Sequence, residues 1–106
     1  MTEHTTTITI STRALDTATN DYEAVGAALK AVIDAPNSEA RENELYVLAH
    51  RSTALADAYR ALAGACVFHR GLFFALRAAG QHYDDVAREN TARAGRLKTL
   101  RQLEEA

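Results

Sequence analysis

The chain has 106 residues and a formal net charge of −2, and this length predicts one small domain with a limited core. Tryptophan is absent, proline occurs once and alanine supplies many of the apolar residues, a composition typical of an all-helical protein. Residues 1–44 carry eight acidic and three basic side chains and residues 45–106 carry six and nine, which favours packing of one half on the other and argues against a dedicated nucleic-acid surface.

The N-terminal segment is rich in threonine, with Ile8 and Ile10 alternating in an otherwise polar run. This pattern predicts an extended polar arm over residues 1–11, too isolated to form a sheet, followed by a single helical domain over residues 12–106. The arm has neither a basic start nor an apolar core, so we do not expect a secretory signal peptide.

The first helix is predicted over residues 12–34, with Ser11 or Thr12 as its N-cap. Pro36 follows, and because proline disfavours helical geometry before it, we expect a turn over residues 35–38. Apolar side chains recur at spacings of three and four, which places them on one helical stripe. This stripe consists of Leu15, Ala18, Tyr22, Val25, Leu29 and Val32.

The second helical region is predicted over residues 38–103, because no proline interrupts it and its apolar seam continues throughout. The seam contains Leu45, Leu48, Leu55, Tyr59, Leu62, Cys66, His69, Phe73, Leu76, Gly80, Tyr83, Ala87, Ala94 and Leu97. As one helix it would be roughly 95–100 Å long, against roughly 35 Å for the first helix. Either the region bends, with Gly64, Gly71 and Gly80 as candidates, or a second chain covers the remainder.

We therefore predict an all-α helical hairpin, with a long or bent second helix, that is completed into a bundle by dimerisation. Around residues 67–74 the apolar side chains leave the seam and surround the helix, which predicts the centre of the fold or of a dimer. These side chains are Val67, Phe68, Leu72 and Phe74. The predicted interface contains Leu55, Tyr59, Leu62, Phe73 and Leu76.

No group of residues predicts an active site or a cofactor. Cys66 and His69 form only half of a metal site, and both lie on the apolar seam, so we favour a buried structural pair over metal binding. Asp84, Asp85 and Glu89 lack a nearby nucleophile or pocket signal, and a solvated helix face explains them better than acid–base catalysis. The window from Leu62 to Ala79 contains three basic or imidazole side chains, too many for a membrane span.

Five basic residues near the C-terminus could contact phosphates. Acidic residues balance them within residues 84–106, and no aromatic residue follows Tyr83 to stack on bases. We therefore expect a solvated helix rather than nucleic-acid binding. The five are Arg88, Arg93, Arg96, Lys98 and Arg101.

The pattern Leu72-x-x-Ala75-Leu76-Arg77-x-Ala79-Gly80-x-x-Tyr83, with acidic residues after it, resembles the EspC-like branch of type VII (ESX) secretion-associated proteins. These proteins are relatives of the small WXG helical hairpins. In that family a Tyr-x-x-x-Asp/Glu element serves the export machinery. Tyr83 corresponds to its tyrosine, Ala87 stands where the family has its acid, and Asp84, Asp85 and Glu89 are acidic neighbours.

The resemblance implies a small non-enzymatic helical protein that acts through helix–helix contact, as a homodimer or with a small helical partner. It also implies contact with the type VII secretion machinery and export from the cytoplasm without a signal peptide. The alternative from the residues alone is a cytoplasmic helical adaptor or regulator that forms oligomers and touches nucleic acid through its basic residues.

Overall fold

The computed structural model describes residues 11–32 and 38–105. They form three helices, α1 Arg13–Val32, α2 Ser38–Ala65 and α3 Arg70–Glu105, and the described residues contain no strand. The all-α prediction is therefore confirmed. The predicted arm, apart from Ser11, and the predicted turn before Ser38 lie outside the described residues.

The first helix begins where the sequence predicts an N-cap. The backbone carbonyl of Thr12 accepts a hydrogen bond of 2.8 Å from the Asp16 amide, and the Thr12 hydroxyl donates to the Asp16 carboxylate at 3.2 Å. A carboxylate in the first turn also suits the positive end of the helix dipole. Thr12 thus stands at the N-cap position of α1, directly before Arg13.

The second helical region is not one continuous helix, because the chain bends back on itself at residues 66–69. The amide of Cys66 donates to the carbonyl of Ala63, and the amide of His69 donates to the carbonyl of Cys66, both at 2.9 Å. These three-residue steps tighten the end of α2 into a turn. Gly64 and Gly71, two of the predicted bend positions, flank this turn, whereas Gly80 lies within α3.

The reversal makes α2 and α3 an antiparallel hairpin. Arg60 on α2 forms an ion pair with Asp84 on α3, and Glu42 near the start of α2 pairs with Arg101 near the end of α3 at 3.2 Å. The apolar seam of residues 38–65 is therefore covered by that of residues 70–105. This removes the length argument for a second chain, since that argument assumed a continuous helix.

Small side chains allow close approach of α2 and α3. A Cβ atom at Gly80 would lie 3.3 Å from the carbonyl oxygen of Ala56 and 3.3 Å from Cγ of Arg60, so only glycine fits there without movement. The buried apolar side chains of the described residues are Leu45, Leu48, Ala49, Leu55, Ala56, Ala63, Cys66, Ala87 and Ala94.

The second helix is the central element, since α2 packs against both α1 and α3 whereas the backbones of α1 and α3 stay apart. An ion pair at 3.8 Å joins Asp21 on α1 to Arg51 on α2. None of the described side chains of α1 is fully buried. The radius of gyration is 18.4 Å, against about 13 Å for a compact domain of this length, so the molecule is elongated.

The prediction that residues 67–74 form the centre of the fold is wrong for the single chain. Phe68 is 92% exposed, and Val67, Leu72 and Phe74 are about half exposed. They lie at the hairpin tip, which we define as residues 66–77, where the reversal of the chain leaves them without a facing helix. Their placement at the centre of a dimer stays a prediction.

Candidate interaction surfaces

The residues considered for metal binding or catalysis do not converge. Cys66 is buried, whereas His50, His69 and His82 are exposed on different parts of the chain. Within residues 11–32 and 38–105, no group of three or more His, Cys, Asp or Glu side chains could hold a metal ion.

Tyr83 belongs to an aromatic cluster that joins all three helices. Its ring stacks on Tyr59 of α2 at 5.6 Å between centroids and meets Tyr22 of α1 edge-on at 5.3 Å. His82 contacts it edge-on at 5.0 Å. Such pairs add about 0.5–1.5 kcal/mol beyond the area that they bury. Burial, followed by the proximity of Tyr83, raises the pKa of Tyr22 above its usual 10.0.

The secretion-signal-like residues are divided between the bundle and its surface. Tyr83 is half-buried and Ala87 is buried, whereas Asp85 and Glu89 are exposed. Asp85 accepts hydrogen bonds from Gln81 at 3.0 Å and from Arg88 at 2.9 Å. The exposed part of this segment is therefore acidic, and its tyrosine has a packing role.

Asp84, the remaining residue of the secretion-signal-like set, is held by Arg60. The same guanidinium also binds Asp57 on its own helix. The hydrogen bonds that Arg60 donates to Asp84 and to Asp57 raise the pKa of Arg60 above its usual range. Asp84 thus helps to fix the register of the hairpin.

The predicted interface residues have two different environments. Leu55 is only 1% exposed, because α2 is central and the other two helices of the same chain cover it. Assigning Leu55 to an interface between chains is therefore wrong. Tyr59, Leu62, Phe73 and Leu76 are half-buried and keep part of their surface available.

A further apolar surface lies at the open end of the bundle, where α2 begins and α3 ends. We call it the open-end groove, and it is lined by Leu29, Arg41, Leu45, Arg93, Arg96, Leu97 and Leu100. Leu100 is 56% exposed and Leu103, one turn later, is 67% exposed. The predicted seam ends at Leu97 and does not include this surface, although the three-residue spacing of Leu97, Leu100 and Leu103 indicates it.

The predicted basic tail is partly neutralised. Arg88 pairs with Asp85 at 2.9 Å, and Arg101 pairs with Glu42 at 3.2 Å and with Glu105 at 3.6 Å. The hydrogen bond with Glu42 raises the pKa of Arg101 above its usual range. The other three, Arg93, Arg96 and Lys98, are exposed.

Comparisons with known proteins add no relative. The chain matches no protein-family model, no curated protein and no solved structure. The resemblance to the EspC-like branch therefore depends on the residues of this sequence alone. Within the part of the chain that the structure describes, no helix has both the length and the apolar character needed to cross a membrane.

Proposed function

We propose that this chain is a non-enzymatic protein that acts through helix–helix contact with a second chain at the open-end groove. The observation that carries the proposal is the set of leucines from all three helices that meets there beside the exposed Leu100 and Leu103. Exposed leucines next to a groove are a typical surface for an added helix.

The occupant that we propose is a second copy of the chain. On α3, Leu97 and Leu103 each lie three residues from Leu100, and Arg96 and Glu104 each lie four residues from it. Two α3 helices crossing antiparallel at Leu100 would place Leu97 of one copy opposite Leu103 of the other. Arg96 would face Glu104 of the second copy, and twofold symmetry would make each contact twice.

The test is the molar mass of the purified chain by light scattering at micromolar concentration. We expect a dimer, and we expect Leu100→Glu to convert it to a monomer. The two new carboxylates would then lie close to the Glu104 carboxylates of both copies and repel them. Leu72→Glu, at the opposite end, is the matched control and should stay dimeric. Dimer formation by Leu100→Glu, or a monomeric parent chain, contradicts the proposal.

A charge exchange tests the register of the two copies. Arg96→Glu should weaken the dimer, because it places two carboxylates opposite each other, and adding Glu104→Arg should restore it. Failure of the second substitution to restore the dimer would exclude the antiparallel register, even if dimers form.

The family resemblance adds a place of action to this proposal. We propose that the dimer is exported from the cytoplasm through a type VII system. The acidic side chains of Asp85 and Glu89 support a contact with that machinery, since both are exposed on the helix that carries Tyr83. Culture filtrates of the native host, with and without a functional type VII system, test it. A dimer retained in the cytosol in both cases would be the adaptor that is our alternative.

A further inference from the structure

The hairpin tip concentrates apolar side chains at a convex apex. Phe68 is 92% exposed, the highest value among the large apolar side chains that the structure describes, and Val67, at 51%, precedes it in the turn. Leu72 and Phe74 add exposed apolar surface on the first turns of α3. Turns between helices are usually polar, so an exposed Val-Phe apex needs a different explanation.

The charge around this apex has one sign. No Asp or Glu occurs between Asp57 and Asp84, whereas Arg70 and Arg77 lie within the tip and His69 lies in the turn. Arg60 is already paired with Asp57 and Asp84. Among the described residues, neither Arg70 nor Arg77 has an ion pair, so both guanidinium groups keep their charge for an external anion.

The cations of the tip lie on its aromatic rings. The Arg70 guanidinium carbon is 5.9 Å from the centre of the Phe74 ring, and that of Arg77 is 5.6 Å from the centre of the Phe73 ring. Because a guanidinium group is weakly hydrated, it loses little hydration free energy when it lies on an aromatic ring. Each arginine–phenylalanine pair therefore presents an apolar face and a phosphate-binding group together.

We propose that the hairpin tip docks peripherally on an anionic phospholipid surface. Val67 and Phe68 enter the boundary between headgroups and acyl chains, while Arg70 and Arg77 bind lipid phosphates. A convex apex contacts a soft layer with all of its side chains at once, whereas a protein partner would need a matching cavity. We favour lipid over a second copy at the tip, because two such tips would bring together four arginines that have no ion pair within the described residues.

Among the described residues, the neighbouring elements do not cancel this charge. The first turn of α1 lies beside the end of α2, where Ala14 and Leu15 face Ala58, Leu62 and Ala65. That turn contributes one cation, Arg13, and one anion, Asp16, and thus no net charge. The tip also lies at the opposite end of the hairpin from the open-end groove, so this inference does not depend on the proposed function.

Vesicle flotation of the full chain tests the inference. The probes are vesicles of phosphatidylcholine alone and vesicles in which about a third of the lipid is phosphatidylglycerol. We expect binding to the anionic vesicles that weakens with salt and little binding to the neutral ones. Equal binding to both kinds of vesicle, or no binding to either, would overturn the proposal.

Two variants of the tip separate the apolar and charged contributions. Phe68→Ser should weaken binding about tenfold or more, because the ring no longer leaves water. Replacing Arg70 and Arg77 by glutamine should weaken it about fivefold for each lost charge. Val47→Ser, on α2 outside both the tip and the open-end groove and 41% exposed, is the matched control and should bind as the parent does.

Folding is checked on the same samples. Thermal unfolding of Phe68→Ser by circular dichroism should match the parent, because the ring is almost fully exposed. Unchanged vesicle binding by a folded Phe68→Ser variant would overturn the role of the apex. A drop in molar mass on this substitution without vesicles, with no binding of the parent to lipid, would instead assign the tip to a protein interface and overturn the proposal.

Discussion

The α2–α3 hairpin and α1 are held in the molecule by different means. Within the hairpin, small residues such as Ala56 and Gly80 let the backbones approach closely, and fully buried side chains occur along both helices. The described side chains of α1 are at most half-buried, and this helix contacts the hairpin through the Asp21–Arg51 pair, Tyr22 and Leu15. Exposed ion pairs contribute only about 0.2–1 kcal/mol, so the hairpin carries most of the stability.

A clear amphipathic stripe on a helix does not guarantee that its apolar side chains are deeply buried. The first helix has the most regular pattern of large apolar residues, yet its backbone packs against α2 alone. The second helix has a weaker pattern but is covered on two sides, because alanines and a glycine admit the partner helix closely. Close approach, more than the size of the apolar side chains, decides which seam becomes the core.

Matched truncations of two leucines should show the largest difference between these regions. Leu55 is 1% exposed in the middle of α2, so Leu55→Ala should lower the free energy of unfolding by about 3 kcal/mol, through lost burial and the cavity left behind. Leu15 on α1 is only half-buried, and Leu15→Ala should cost about 1 kcal/mol. Urea unfolding of both variants measures the difference.

Equal losses of unfolding free energy at Leu55 and Leu15 would show that α1 is packed as tightly as the hairpin. Phe73 provides an intermediate case. Truncation of a fully buried phenylalanine lowers the free energy of unfolding by about 3 kcal/mol, but the Phe73 ring is only half-buried. Phe73→Ala should therefore cost less than Leu55→Ala. A larger cost would indicate that Phe73 is buried by a second chain.

Matched substitutions of two glycines should show the next largest effect. Gly80→Leu forces a side chain against the carbonyl of Ala56, where even a Cβ atom would lie at 3.3 Å, and overpacking of this kind costs about 1–3 kcal/mol. A Cβ atom at Gly26 on α1 meets nothing within 4 Å. Gly26→Leu should therefore leave stability unchanged or raise it by up to about 1 kcal/mol, through helix propensity.

Thermal unfolding followed by circular dichroism measures the stability of both glycine variants. Destabilisation by Gly26→Leu as large as that by Gly80→Leu would mean that α1 packs as closely as the hairpin. Tolerance of Gly80→Leu would show that α2 and α3 separate easily. Either result would remove the distinction between the two regions.

The sequence predicted the helical class and the first helix well, because these depend on local signals. The predicted bounds 12–34 are close to Arg13–Val32, and Thr12 caps the helix as expected. The reversal at residues 66–69 was not predicted, since Val67 and Phe68 are not turn-forming residues. The seam also continues across the turn, because folding back keeps the same side chains on the facing surfaces.

The candidate surfaces could be predicted only in part, because the reversal at residues 66–69 was not predicted. Leu55 on a continuous helix would be free to meet a second chain, but on a hairpin it becomes part of the core. Phe68 changes in the opposite direction, from a predicted centre to an exposed apex. Both errors follow from one missing reversal, which local periodicity cannot distinguish from a straight helix.

The smallest expected effect concerns the contact of Tyr22 on α1 with Tyr83 on α3. Burial and the neighbouring Tyr83 raise the pKa of Tyr22 above 10.0, so the folded state holds this proton more tightly than the unfolded state does. The resulting contribution to stability is complete below about pH 10 and is lost as the pH rises through the raised pKa. Tyr22→Phe should therefore lose less stability than the parent between about pH 9 and about pH 11.

Tyr46→Phe is the matched control for this prediction, because Tyr46 is 40% exposed on α2 and lies outside the aromatic cluster. An alkaline loss in Tyr22→Phe as steep as in the parent would contradict the prediction. Amide hydrogen exchange at high pH then distinguishes α1 from the hairpin, because ionisation of Tyr22 weakens only the attachment of α1. Faster exchange in α1 alone would identify it as the helix that detaches first, whereas uniform exchange would mean that α1 and the hairpin unfold as one unit.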